Sequence, residues 1–452
     1  MTQGHLFPVG ERRLSFVWPL LAAAIARVAM LPFAHIENPV LWEYGDIARH
    51  MIAGKGYSLT WVLPMFPPIV LPSAFMPPGE TLLQYALLSV FGDGLLAYIA
   101  IFLVQVACGV AFVYVIGRLL RVLFGSRRLQ LIAMWSVALY PSFLYATTTF
   151  GVASEILLLN SLFILLACNL HEALINGNGV TAATVLFGVC AGILSLFRSE
   201  APLPIIAVLL LLLASRRIPI RRRVSAAIVA AAIATAIIAP WTIRNYGLFH
   251  TLIPGSTSGG FNLWKGNHTA ASGSAWNSAG VQYGPPFQLW IEALGKGPTD
   301  PMFELHFSQV LATRAEDWMS THPIEAIALA GKKAVMLWSF DWYNTLSSTL
   351  TYATLSLVTL GLAMFGLFRY RSLRQSNTFG VKVIVLLSGV YTVLAMVFFV
   401  VPRYQIFLVG IYWPFVVLGI DGVLLNVTAQ RRVRTTSQES IANTPQMAES
   451  LS

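Results

Sequence analysis

Glu43, Asp46 and His50 stand at offsets of three and four within ENPVLWEYGDIARHMIAGKGYS, residues 37–58. On a helix that spacing puts two carboxylates and an imidazole on one face. A carboxylate flanked by Trp42 and Tyr44 at the edge of apolar chain can have its pKa raised by desolvation and serve as a general base. The competing reading is the solvated face of an amphipathic helix, and spacing alone leaves both open. Asn38 and Pro39 supply a helix start, and Gly54 and Gly56 a stop, which predicts a short surface helix over 39–53.

Four cations add a second group: Arg198 in LFRSEAPL, Arg244 in PWTIRNYG, Lys265 in NLWKGNH and Arg403 in VPRYQIF. Basic groups at the ends of separate helices can converge on an anionic headgroup, and a phosphate is the natural match for an Arg fork. Snorkelling to lipid phosphates would explain any one of them equally well. Glu155 and Glu200 can pair with these cations or bind sugar hydroxyls. His50, Tyr57, Glu155, Asn262, Asn267 and Tyr404 are further candidates for substrate contact. The chemistry does not require a metal and no ligand cluster argues for one, so no metal site is expected and a divalent ion stays optional. No Walker P-loop, complete GxGxxG, HExxH or DxD pair is present, so nothing supports cytosolic nucleotide chemistry.

The elements that must position these residues are membrane helices. Hydrophobic residues make up 56% of the chain and charged ones 11%, with a mean hydropathy of +0.70, far from soluble averages. Apolar segments long enough to approach a crossing lie at 14–34, 95–120, 129–149, 150–171, 180–197, 200–215, 224–243, 350–369, 379–401 and 404–425. The net charge of +10 is no nucleic-acid signal. Its basic residues, such as Arg12/Arg13, Arg127/Arg128, Arg221 to Arg223, Arg374 and Arg431/Arg432, gather on alternate ends of these segments, as the positive-inside rule requires of a ten-span path with both termini inside. Two excursions then face outward, 35–94 and 245–349, and eight of the 12 tryptophans fall in them. Segment 77–92 is too short to span and is read as an external amphipathic or re-entrant helix. Cys108, Cys168 and Cys190 sit in apolar segments as packing residues. Residues 1–425 form one domain on this reading, and the polar tail 426–452 is expected to be disordered.

Taken in order, WEYGDIARHMIAGKGYS, MPPGETLLQYALLSVFG, LFRSEAPL, APWTIRNYGLFHTLIPGSTSGGFNLWKGN, HPIEAIALAGKKAVMLW and PRYQIFLVGIYWPF resemble the GT-C glycosyltransferases over most of residues 14–425. The resemblance is to the bacterial branch related to protein O-mannosyltransferases and the lipid A aminoarabinose transferase. It implies an all-α polytopic fold in a bacterial inner membrane with an outward-facing site. It also implies inverting transfer of a sugar from a polyprenyl-phosphate carrier to a lipid, glycan or protein acceptor. Members commonly carry adjacent Asp-Glu before the Ile-Ala of the first external helix. Here Val40-Leu41 stand there, and Glu43, with Asp46 second, takes the expected role of base. Arg198, Arg244, Lys265 and Arg403 are the expected phosphate ligands. A flippase for polyprenyl-linked sugar is the competing class, and a glycan polymerase or ligase of the same fold would share nearly every feature.

Overall fold

The computed structural model describes residues 9–63, 65–295, 297–371 and 377–442. Arg374 and tail residues 443–452 lie outside them. The chain begins with α1 (Val9–Val28). The first excursion holds α2 (Trp42–Ile52), the antiparallel pair β1 (Ser58–Trp61) and β2 (Ile69–Pro72), and α3 (Pro78–Phe91). Then come α4 (Leu95–Phe124), α5 (Arg127–Leu139), α6 (Pro141–Tyr145), α7 (Ala153–Asn176), α8 (Val180–Phe197), α9 (Pro202–Leu213) and α10 (Ile220–Phe249). The second excursion carries α11 (Gly259–Gly266), α12 (Phe287–Leu294), α13 (Phe303–Thr321) and α14 (Pro323–Trp338). It is followed by α15 (Leu350–Tyr370), α16 (Thr378–Val397) and α17 (Pro402–Ala442).

Every predicted apolar segment coincides with a helix. Among the described residues seven helices are long and apolar enough to cross a membrane; α5 and α6 with its following turn reach that length together, bent by 55°; Phe16–Val28 and Pro202–Leu213 are shorter apolar helices. The bend falls at Tyr140-Pro141, where proline removes an N–H and clashes with the preceding turn. Local chemistry sets many ends. Pro78, Pro141, Pro202 and Pro323 occupy first turns, where the missing donor costs nothing. Gly125 and Gly177 cap α4 and α7 in left-handed conformation. The main apolar core joins α4, α5, α7, α16 and α17. A second, aromatic-rich core gathers Trp61 of the first excursion, Trp264, Phe303 and Phe307 of the second and Trp241 of α10, so the two excursions form one body.

Three expectations are corrected. The first-excursion helix does not start at Pro39: α2 begins at Trp42, after a Leu41 N-cap that makes no side-chain cap bond. Trp42 itself has φ 56, a left-handed conformation rare for a bulky residue. Its side chain is half buried at the wall of a cavity, and that packing offsets the backbone strain. Second, a two-stranded sheet exists where no strand pattern is legible, because its strands are only four residues each. Third, α17 continues to Ala442, so the helix persists through a stretch whose polar composition predicts disorder.

Segment 77–92 does form a helix, with inverted polarity. Glu80, Thr81 and Gln84 of α3 are buried, while Leu82, Val90 and Phe91 face outward, as suits a helix whose surroundings are lipid. The excursions are locked by Glu304 of α13. Its carboxylate accepts from Ser73 Oγ at 2.5 Å, Ala74 N at 2.7 Å and Thr257 Oγ1 at 2.5 Å. Burial pushes its pKa up, and these donors pull it back. Glu304→Ala would orphan three buried donors at once and is expected to cost about 3 kcal/mol or more. The readout is a lower thermal midpoint and faster proteolysis in the 251–286 loop.

Candidate active site

Asp46 and Glu43 start as neighbours on α2 and end with different surroundings, because three residues along a helix rotate the side chain to a direction roughly 60° away. Asp46 turns to the sheet. It accepts from Thr60 N at 2.7 Å and Thr60 Oγ1 at 3.0 Å. His50 Nε2 lies 2.8 Å from that hydroxyl and 3.5 Å from Asp46 Oδ1. Asp46 and His50 therefore pin α2 to β1. Glu43 turns instead into a cavity of about 800 Å³ and makes no hydrogen bond or ion pair with any described residue.

That cavity collects residues from segments far apart in the chain. Glu43, Arg198, Glu200, Asn262, Lys265, Arg403 and Tyr404 all line it, among apolar walls that include Leu203, Leu252, Leu394 and Phe398. Arg198, just past the end of α8, is held by Glu200 and lies over the rings of Tyr404 at 5.0 Å and Phe407 at 5.4 Å. Lys265 comes from α11. It is 6% exposed, its ammonium lies 4.6 Å from the Phe261 ring centroid, and no described residue accepts a hydrogen bond from it. Burial pushes its pKa down to about 8; the charge of Arg403 pushes the same way and that of Glu43 opposes it. Arg403, in the first turn of α17, is exposed beside Tyr404. The cavity thus holds one carboxylate with no partner, one guanidinium already paired, and two cations without acidic partners among the described residues.

The other expected site residues lie elsewhere. Arg244 donates to Ser73 O at 2.5 Å, Tyr57 O at 2.7 Å and Asn245 Oδ1 at 2.9 Å, and it stacks on Tyr57 and Trp241. Its guanidinium fastens the first excursion to α10. Tyr57 donates to Met76 O at 2.9 Å beneath the cavity. Glu155 is buried against Gln105, 2.7 Å away. Asn267 donates to Leu263 O and Val397 O and accepts from the buried Lys333 at 2.8 Å. Among the described residues no group of three His, Cys, Asp or Glu side chains is placed to hold a metal.

Sequence reasoning did not single out Tyr391, Gln282, Asn344 or the serines 199, 256 and 258 as part of this lining. Tyr391 had a signal: it is a polar group in the apolar run of α16, where its hydroxyl receives a bond from Asn160 Nδ2 at 3.0 Å. The serines sit in loop segments with no periodicity to mark them.

No protein-family model and no curated protein matches the sequence. Solved structures do match. Archaeal oligosaccharyltransferase AglB from Archaeoglobus fulgidus, in complex with an inhibitory peptide and a dolichol-phosphate, aligns at 14% identity and a TM-score of 0.51, covering 94% of this chain and 52% of that one. The same archaeal enzyme in complex with zinc and sulfate gives 15% identity and a TM-score of 0.54, covering 94% and 51%. ArnT from Cupriavidus metallidurans bound to undecaprenyl phosphate aligns at 15% identity and a TM-score of 0.40, covering 92% of this chain and 78% of that one. The chain thus spans about half the length of the archaeal enzyme. With the archaeal enzyme the chain shares its overall fold, a largely helical body that carries two excursions.

Proposed function

We propose that this protein is an inverting membrane glycosyltransferase that takes a sugar from a polyprenyl-phosphate carrier. The observation that carries the reading is the meeting, in one apolar-walled cavity, of the unpartnered Glu43 carboxylate with Lys265 and Arg403. The archaeal oligosaccharyltransferase, solved in complex with a dolichol-phosphate, lends it support through the shared fold.

The chemistry follows from the charges. Glu43 removes a proton from an acceptor hydroxyl or amine, whose oxygen or nitrogen then bonds to the anomeric carbon. The bond from that carbon to the carrier's phosphate oxygen breaks on the opposite face, and the polyprenyl phosphate leaves with the electron pair. Negative charge grows on the leaving phosphate, so Lys265 and Arg403 stabilise the transition state more than the ground state. Arg198, its charge balanced by Glu200 and its plane held by Tyr404 and Phe407, aligns the phosphate. Leu203, Leu252, Leu394 and Phe398 offer the isoprenoid an apolar path. Asp46 is a positioning residue that fixes the helix bearing Glu43. We place the site on the periplasmic side of a bacterial inner membrane, where the cationic clusters of the opposite loops direct it.

The test is transfer of radiolabelled sugar by the purified protein, from a panel of polyprenyl-phosphate sugars to lipid, glycan and protein acceptors. Labelled product with release of polyprenyl phosphate is the expected result. Movement of the intact lipid-linked sugar across vesicles, with no cleavage, would overturn the reading in favour of a flippase.

A further inference from the structure

Outside the cavity, two buried carboxylates lack a counter-charge. Glu80 on α3 is 0% exposed and Glu155, in the first turn of α7, is 4% exposed. Gln84 Nε2 donates to Glu80 Oε1 at 2.8 Å and to Phe150 O at 3.3 Å. Gln105 Nε2 of α4 donates to Glu155 Oε1 at 2.7 Å and to Gly151 O at 3.0 Å. The two amides therefore rest on adjacent carbonyls, and that brings the carboxylates close enough to repel each other. No described Arg, Lys or His pairs with either acid; Arg27, the buried cation of α1, donates to Ala23 O and Ala138 O instead.

Four oxygens of these side chains are inaccessible and have no partner among the described residues: Glu80 Oε2, Glu155 Oε2, Gln84 Oε1 and Gln105 Oε1. Two neighbouring carboxylates cannot both stay ionised in a dry interior without compensation. A single shared proton would serve two of the oxygens and leave both amide oxygens as orphans. A divalent cation held among these oxygens would cancel both charges.

We propose that Glu80, Glu155, Gln84 and Gln105 form a structural site for a hard divalent cation, with calcium the best match. Calcium accepts carboxylate, amide and hydroxyl oxygens in irregular, all-protein geometry, whereas magnesium demands an octahedron and retains its waters. The ion clamps α3 to α4 and α7. Met76 and Pro77, which lead into α3, line the candidate active site, so the clamp fixes the wall of that cavity while staying out of the chemistry. This assignment stands independently of the transfer reaction.

The full-length protein, purified in detergent and stripped with EDTA, is titrated with calcium chloride, magnesium chloride or sodium chloride while its thermal midpoint is followed, and equilibrium dialysis with radioactive calcium counts ions bound. The expected result is one calcium per chain and a saturable rise of several degrees. Glu80→Gln and Gln105→Leu should each remove the calcium-dependent rise; Gln84→Leu serves if either fails to fold. Absence of calcium binding in wild type, or an undiminished rise in the variants, overturns the site. A midpoint that follows pH and ignores calcium does so too, and assigns the pair a shared proton.

Discussion

Glu43→Gln is expected to lower sugar transfer by about 10²–10⁴-fold, the usual contribution of a positioned general base, while donor binding persists. The substitution keeps the shape of the side chain and removes its basicity. It also breaks no hydrogen bond or ion pair with any described residue, so the fold should survive with an unchanged thermal midpoint. Asp46→Asn is the informative contrast. Asp46 holds Thr60 through two bonds, so its loss should lower stability and blur the position of Glu43 without removing the base. The pair is read by single-turnover rates beside carrier-binding isotherms. If Asp46→Asn abolished transfer at wild-type stability while Glu43→Gln remained active, the roles assigned to the two acids would have to be exchanged.

Lys265→Met should cost about 10²–10³-fold in kcat/KM, comparable to removing one preorganised group that faces developing charge. Its effect also carries a pH signature. Burial pushes the Lys265 pKa down to about 8, so the free enzyme loses this charge as pH rises through 8, and kcat/KM should fall on that alkaline side. In Lys265→Met the limb should be absent and the residual rate flat across the window. Stability moves oppositely. A lysine whose folded pKa lies below its unfolded value of about 10.4 makes the unfolded chain bind more protons between about pH 8 and 10.4, so this residue's destabilising effect is full below 8 and fades as pH climbs. An alkaline limb that survived in Lys265→Met would assign that titration to another group.

The main elements were readable because apolar runs and their proline and glycine punctuation are local signals. Pro141 bends the segment read as one span over 129–149, and Pro323 separates α13 from α14, each by removing a donor at a fixed point in the chain. Helix starts without such punctuation were less legible: Asn38 and Pro39 satisfy every local rule for an N-terminus, yet the helix waits for Trp42, held left-handed by its surroundings. The four-residue strands escaped for the related reason that so short a segment has too little periodicity to register.

The amino-acid sequence by itself determined a membrane body, two excursions between its apolar segments, and a short inventory of acids and cations. Only the tertiary structure decided which of these share a cavity. Arg244 and Lys265 are both basic residues at the outer edge of apolar chain, but Arg244 gives its donors to two backbone carbonyls and the side chain of Asn245, while Lys265 meets no acceptor and faces the cavity. Glu43 and Asp46 are likewise equivalent by type and spacing, and a rotation of the helix gives one to the sheet and the other to the cavity. Residue type fixes what charge a side chain can carry. Which neighbours compete for that charge depends on segments hundreds of residues away, and no local pattern encodes their approach.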